Sequence, residues 1–131
     1  MITKTYKELT KKEFLIRFFN ILTMVETNLD KKLTNGEIEA LVEFILLPDS
    51  IKYNRFKQEG KDIVIGKFAE KGVRITPVNL HMKLVQIKKK GYIIEDVDKI
   101  KKINPNIQKY VDMVLKEYES GEFVFNFIFK K

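Results

Sequence analysis

The sequence predicts a mainly α-helical protein with a small β-sheet, and three observations support that fold class. Thr10, Thr34 and Thr76 are helix-capping residues, and each precedes a segment whose apolar residues recur at helical spacing. Gly91 ends the last of these segments and precedes a short apolar run typical of a strand. The chain has 131 residues, 44% of them hydrophobic, which permits one compact domain without metal or disulfide bonds.

The first predicted helix starts with a capping box between Thr10 and Glu13 and runs to about residue 28. Its main apolar face consists of Phe14, Phe18, Ile21, Leu22 and Val25. Leu15, Ile16 and Phe19 widen this face beyond a single stripe. Such a helix is either deeply buried or shared with another subunit, and we predict that these three residues belong to a protein interface.

The second predicted helix follows Thr34, where Glu37 completes another capping box, and Pro48 stops it. Its inward positions are Ile38, Leu41, Val42 and Ile45. Glu39 and Glu43 are expected to face outward. An irregular connector then leads to the third helix.

A helix-turn-helix is predicted next. The third helix occupies about residues 60–71, and Gly72 provides the turn. Thr76 caps the fourth helix and Pro77 opens it, because proline suits the first helical position. Gly91 then ends that helix.

A strand pair is predicted after Gly91. The first strand is the apolar run, and residues 99–103 provide a return strand. Between them lie Glu95, Asp96 and Asp98. These carboxylates either form an acidic turn or gather a divalent cation, and the turn requires less strain.

The last predicted helix begins at Pro105 and extends to about Glu119, with Ile107, Val111, Val114, Leu115 and Tyr118 on its apolar face. The segment after it alternates Phe123, Phe125, Phe127 and Phe129 with Val124, Asn126 and Ile128. A strand here is apolar on both faces. It is covered either by its own chain or by another, and we predict an interface containing Phe125, Phe127 and Ile128.

The helix–turn–helix–strand order resembles the winged helix-turn-helix superfamily, in particular the winged helices of phages and of plasmid replication initiators. The resemblance covers residues 60–105. It implies one winged-helix domain over residues 1–131, with N-terminal helices at 10–47 and a C-terminal helix and strand at 105–131. It also implies DNA as a partner, since this fold most often binds DNA.

The fourth helix is the recognition helix under this resemblance. Leu80, Leu84 and Ile87 are expected to face the core. The predicted DNA-binding residues on or beside the helix are Thr76, Asn79, His81, Lys83, Gln86, Lys88, Lys89 and Lys90. Val78, Met82 and Val85 form an outward apolar ridge, which either contacts thymine methyl groups or serves as a protein interface.

The charge distribution favours a polyanionic partner. The net charge is +7, and residues 52–102 hold fourteen Lys or Arg and six Asp or Glu, against eleven and twelve elsewhere. An AT-rich genome is an alternative explanation of the lysine content. Only Arg17, Arg55 and Arg74 are arginines, which favours phosphate contacts over extensive guanine recognition.

Enzymatic function is not expected, and neither is a cofactor. Cysteine is absent, which excludes disulfides, thiolate catalysis and cysteine-bound zinc. His81 is the single histidine, and the glycines match no phosphate-binding loop. A polar N-terminus and the lack of a long apolar run predict no membrane association and a cytoplasmic location, in a host cytoplasm or virion if the gene is phage-borne.

Two function hypotheses remain open from the sequence. The first is a small non-enzymatic DNA-binding protein of phage or mobile-element type that binds AT-rich or non-specific DNA. The second is a phage structural or adaptor component that uses the winged helix to dock other protein subunits. The apolar ridge and the Phe-rich tail favour a homo-oligomer or a larger assembly.

Overall fold

The computed structural model describes residues 10–120, and this part of the chain is mainly helical with one small antiparallel sheet, as predicted. The elements are α1 (Lys11–Val25), α2 (Asn35–Ile45), α3 (Gln58–Glu70), α4 (Pro77–Lys89), β1 (Ile93–Glu95), β2 (Lys101–Ile103) and α5 (Pro105–Ser120), with short 3-10 turns at Leu29–Lys31 and Asp49–Asn54. The described residues form two compact units, one containing 10–32 and 105–120 and the other containing 33–104.

The prediction of a single domain stays a prediction. The predicted Phe-rich strand, with Phe125, Phe127 and Ile128, lies outside the described residues.

Side-chain caps fix three helix starts where the sequence predicted them. Thr10 Oγ1 accepts a hydrogen bond from Glu13 N at 3.1 Å, and Thr34 Oγ1 accepts one from Glu37 N at 3.2 Å. Thr76 Oγ1 accepts from Asn79 N at 3.1 Å ahead of Pro77. Each bond satisfies a backbone N–H that the helix itself leaves free.

In the first unit, α1 packs against α5. The rings of Phe14 and Tyr118 lie 5.4 Å apart between centroids. Val111 and Val114 of α5 are completely buried. The apolar face predicted for the last helix is therefore the face that packs.

The broad apolar arc of α1 is explained by burial within one chain. Phe14, Leu15, Phe18 and Phe19 have no exposed surface, and Ile16 is half-buried. Leu15 and Phe19 were predicted to form a protein interface. Their burial accounts for the arc without a second subunit, and neither side chain is accessible to a partner in this conformation.

In the second unit, α2 packs against both α3 and α4. The buried apolar side chains of these helices are Ile38, Ala40, Leu41, Val42, Phe44, Ile45, Val64, Phe68, Leu80, Leu84 and Ile87. Glu43 was predicted to face outward, and that prediction was wrong. Glu43 is only 7% exposed, and Lys71 donates a hydrogen bond to it at 3.2 Å. Because α2 is covered by two helices, its buried arc is wider than its apolar stripe.

The two strands pair in the register Ile93 with Ile103, Ile94 with Lys102 and Glu95 with Lys101. A further hydrogen bond joins the residues that flank the two strands: the Asn104 backbone N–H, after β2, donates to the Tyr92 carbonyl, before β1, at 2.9 Å. Gly91 has φ of 91°, a left-handed conformation that glycine adopts without strain. The sheet therefore follows directly from the end of α4.

Candidate nucleic-acid interface

The orientation of α4 is as the sequence predicted. Leu80 and Ile87 are completely buried, and Leu84 is 4% exposed. On the opposite side, Val78 is 71% exposed, Met82 54% and Val85 38%. The apolar ridge is therefore a surface feature, and α4 presents a mixed apolar and polar face to solvent.

The predicted DNA-binding residues differ in accessibility. Thr76, Asn79, His81, Lys88 and Lys89 are exposed, whereas Lys83, Gln86 and Lys90 are half-buried. The Lys83 ammonium reaches across to α2, since a Cβ placed on Gly36 would lie 2.7 Å from Lys83 Nζ. Some of the predicted DNA-binding residues therefore lie on the open surface, and others line the side of a groove.

Lys90 is committed to an internal ion pair. Its Nζ donates to Glu37 Oε1 at 2.6 Å, and the side chains are 15% and 8% exposed respectively. Glu37 Oε1 also accepts the Thr34 backbone N–H at 2.9 Å, so one carboxylate links the start of α2 to the end of α4. Lys90 therefore stabilises the unit and is not positioned as a free phosphate contact.

Lys88 also has a partner, although a more exposed one. It donates to Glu95 Oε1 at 3.0 Å, joining the end of α4 to β1. This hydrogen bond and the charge of Lys88 lower the pKa of Glu95, with smaller contributions from Lys101 and Lys99. Lys89 is exposed and makes no ion pair with any residue in the range 10–120.

A groove of about 480 Å³ lies between α4 and the first turn of α2. Asn79, Met82, Lys83 and Gln86 line one side, while Thr34, Gly36, Glu37 and Glu39 line the other. Phe68, Val73, Arg74 and Ile75 complete it. Because Glu37 and Glu39 line this groove together with Lys83 and Arg74, it holds both signs of charge.

A second concavity, of about 270 Å³, has a different character. It is lined by Phe56, Lys57, Lys61, Lys99 and Lys101, and we call it the lysine pocket. None of its lysine side chains forms a hydrogen bond or an ion pair with a residue of the described chain.

Sequence reasoning missed the lysine pocket, because its residues come from the start of α3 and from the hairpin. The spacing of Lys57 and Lys61, one helical turn apart, was the only local signal.

The acidic segment of the hairpin forms a turn, as the sequence favoured. Asp96 Oδ1 accepts the backbone N–H groups of Asp98 at 2.9 Å and Ile100 at 3.0 Å. Lys99 closes the turn with φ of 62°. Within residues 10–120 there is no group of three or more carboxylate, histidine or cysteine side chains that could hold a metal ion.

None of the helices between residues 10 and 120 is both long enough and apolar enough to cross a membrane. Comparison of the chain with protein-family models, with curated proteins and with solved structures found no match.

Proposed function

We propose that the unit of residues 33–104 binds duplex DNA as a winged-helix module, with α4 as the recognition helix and the β-hairpin as the wing. The observation that carries this proposal is the solvent-exposed face of α4, placed between the Gly72 turn and the hairpin. The order α2, α3, α4, β1, β2 is the order a winged helix-turn-helix requires. The positive charge of residues 52–102 supports a polyanionic partner.

The exposed face of α4 suits an AT-rich site better than a GC-rich one. Val78, Met82 and Val85 are exposed, and we assign to them the contacts with thymine methyl groups in a major groove. Asn79 is exposed at the start of the helix, where its amide pairs with adenine. Arginine is absent from α4, so bidentate guanine recognition by this helix is not proposed.

Phosphate contacts fall to the exposed cationic residues. Lys89 is exposed and has no ion-pair partner within residues 10–120, and His81 lies on the same helix. Lys88 also contacts phosphate in this proposal, and it keeps its ion pair with Glu95 at the same time. Lys90 is left out of the DNA contact because its ammonium is held by Glu37.

Fluorescence anisotropy with AT-rich and GC-rich duplexes, each at two salt concentrations, tests this proposal. We expect affinity to fall with salt, and Lys89→Gln to reduce the slope of log K against log salt by about 0.9, the value of one phosphate contact. Lys109→Gln, which removes one charge from the other unit, is the control and should leave the slope unchanged. Absence of binding at low salt would eliminate the proposal.

The apolar ridge supports a second candidate function, the docking of another protein subunit in an assembly. Val73 is 46% exposed beside the groove, adding to the apolar surface of Val78 and Met82. Light scattering of the wild type beside Met82→Glu distinguishes this candidate. A defined oligomer that dissociates in the variant, combined with no DNA binding, would favour docking over DNA recognition.

A further inference from the structure

The lysines of the lysine pocket come from two separate parts of the chain, and the buried Phe56 lies beneath them. Lys57 occupies the N-cap position of α3, and Lys61 follows one turn later on the same face. Lys101 begins β2, and Lys99 precedes it in the turn. The floor is Phe56, which is 5% exposed and whose ring lies 5.2 Å from that of Phe44 in α2.

The pocket lysines form no hydrogen bond or ion pair with a carboxylate of the described residues, and the charges of Lys101 and Lys99 act on Glu95 only as minor causes of its lowered pKa. Glu95 is the cross-strand partner of Lys101, but its carboxylate accepts its hydrogen bond from Lys88. On α3, Asp62 accepts from Gln58 at 2.6 Å, and Glu59 accepts from Asn54 at 3.2 Å. Neither carboxylate lines the pocket, so its lining among the described residues contains four lysines and no acidic side chain.

The start of α3 adds to this positive potential. Lys57 makes no side-chain capping hydrogen bond, in contrast to the threonines that cap α1, α2 and α4. No capping side chain offsets the positive end of the helix dipole, and Glu59 in the first turn offsets part of it. Together with the lysines, the helix dipole favours an anion at this position.

We propose that the lysine pocket binds a compact polyphosphate anion, such as the linked phosphates of a nucleotide or inorganic polyphosphate. Ammonium groups bind phosphate as point charges, and three or four negative charges in one small group balance the four lysines. A single phosphodiester carries only one such charge. At about 270 Å³ the pocket is smaller than a typical drug-sized site, which suits a short phosphate chain.

The pocket shares no residue with α4, although Lys99 and Lys101 lie in the hairpin that we propose as the wing, and tripolyphosphate binding does not require DNA binding. Calorimetric titration of the full chain with sodium tripolyphosphate at fixed ionic strength is the test. We expect saturable binding, weakened at least about tenfold in a Lys61→Gln, Lys101→Gln variant, since charged hydrogen bonds are lost. Lys102→Gln, compared with Lys101→Gln alone, is the matched control: each removes one charge from neighbouring residues of β2 whose side chains point to opposite faces.

A second variant separates binding from folding. Lys99→Asn keeps a residue that tolerates the positive φ while removing the charge, and it should also weaken binding. Without ligand, the pocket variants should melt at about the same temperature as the wild type, because the removed lysines form no ion pair or hydrogen bond in the described chain. A role of these lysines in stability alone would lower the melting temperature and leave tripolyphosphate affinity unchanged, contradicting the proposal.

Two further outcomes would overturn it. If Lys102→Gln weakened tripolyphosphate binding as much as Lys101→Gln does, the anion would be attracted to the whole basic surface and not to the pocket. No saturable tripolyphosphate binding, together with loss of duplex binding in the Lys61→Gln, Lys101→Gln variant, would show that the pocket contacts the DNA backbone. A chain that binds tripolyphosphate and no duplex would retain the pocket proposal and lose the proposed DNA function.

Discussion

The lysines at the end of α4 and those of the lysine pocket differ in whether they form ion pairs. In the consecutive run, Lys88 is paired with Glu95 and Lys90 with Glu37, while Lys89 alone is unpaired among the described residues. The pocket lysines are dispersed from residue 57 to residue 101, and none has an ion-pair partner in the described chain. A run of charges in sequence is therefore a poor measure of charge available to a ligand.

The difference arises from the position of each lysine relative to the acidic residues of the fold. Lys90 follows the last turn of α4 and meets the start of α2, where Glu37 is held by its capping box. The pocket lysines line one concavity that is formed by residues at the start of α3 and in the hairpin. Burial and pairing give Lys90 a structural role. The pocket lysines have no ion-pair partner in the described chain, and we propose that they bind an anion.

The largest expected effect comes from removing Lys90. Lys90→Met should destabilise the chain by about 2–4 kcal/mol, because it leaves the buried Glu37 carboxylate without its cationic partner. Lys89→Met, one residue away and exposed, should change the stability by less than about 0.5 kcal/mol. Urea unfolding of both variants measures the contrast. Equal effects would show that the two lysines do not differ as described.

A smaller effect is expected at the glycine beside the lysine pocket. A Cβ on Gly60 would lie 1.8 Å from the Arg55 carbonyl oxygen, so Gly60→Ala requires the backbone to shift. We expect a loss of about 1–3 kcal/mol, as for overpacked sites. It should also weaken tripolyphosphate binding, since Lys57 and Lys61 flank this position.

Gly66→Ala is the matched control on the same helix. A Cβ there meets nothing within 4 Å, and alanine is the better helix former, so a gain of about 0.5–1 kcal/mol is expected. Thermal unfolding of the two variants should therefore shift in opposite directions. A loss at both positions would mean that α3 is packed differently from the structure.

The smallest effect is expected for the exposed Lys88–Glu95 pair, and it should depend on pH. The hydrogen bond and charge of Lys88 lower the pKa of Glu95 below its ordinary value of 4.5. The pair therefore stabilises the folded chain above that value, and this contribution disappears as the pH falls through the lowered pKa. The stability difference between wild type and Glu95→Gln, measured by urea unfolding, should shrink toward acidic pH. A difference that grows on acidification would contradict this assignment.

Local signals made most of the fold predictable. The capping threonines, Pro77 and the glycines at 72 and 91 act within a few residues, so they located the helices and turns correctly. Periodicity likewise identified the buried side of α4. Glu43 was misplaced because the second helix covering α2 is a tertiary effect with no local signal.

The candidate site was less predictable, because it depends on tertiary contacts and not on local signals. Whether a lysine is free depends on partners distant in sequence: Glu37 lies 53 residues before Lys90. The lysine pocket combines residues from α3 and the hairpin, which composition and spacing do not bring together. The exposed ridge of α4 was predictable because it follows from one helix alone.

The most direct test of the central claim, that α4 of the second unit contacts DNA, is to follow the amide chemical shifts of the full chain during titration with an AT-rich duplex at low salt. We expect the largest changes at the exposed positions of α4, namely Val78, Asn79, His81, Met82, Val85 and Lys89, and added salt should reverse all of them. Changes confined to α1 and α5, or none at low salt, would contradict it.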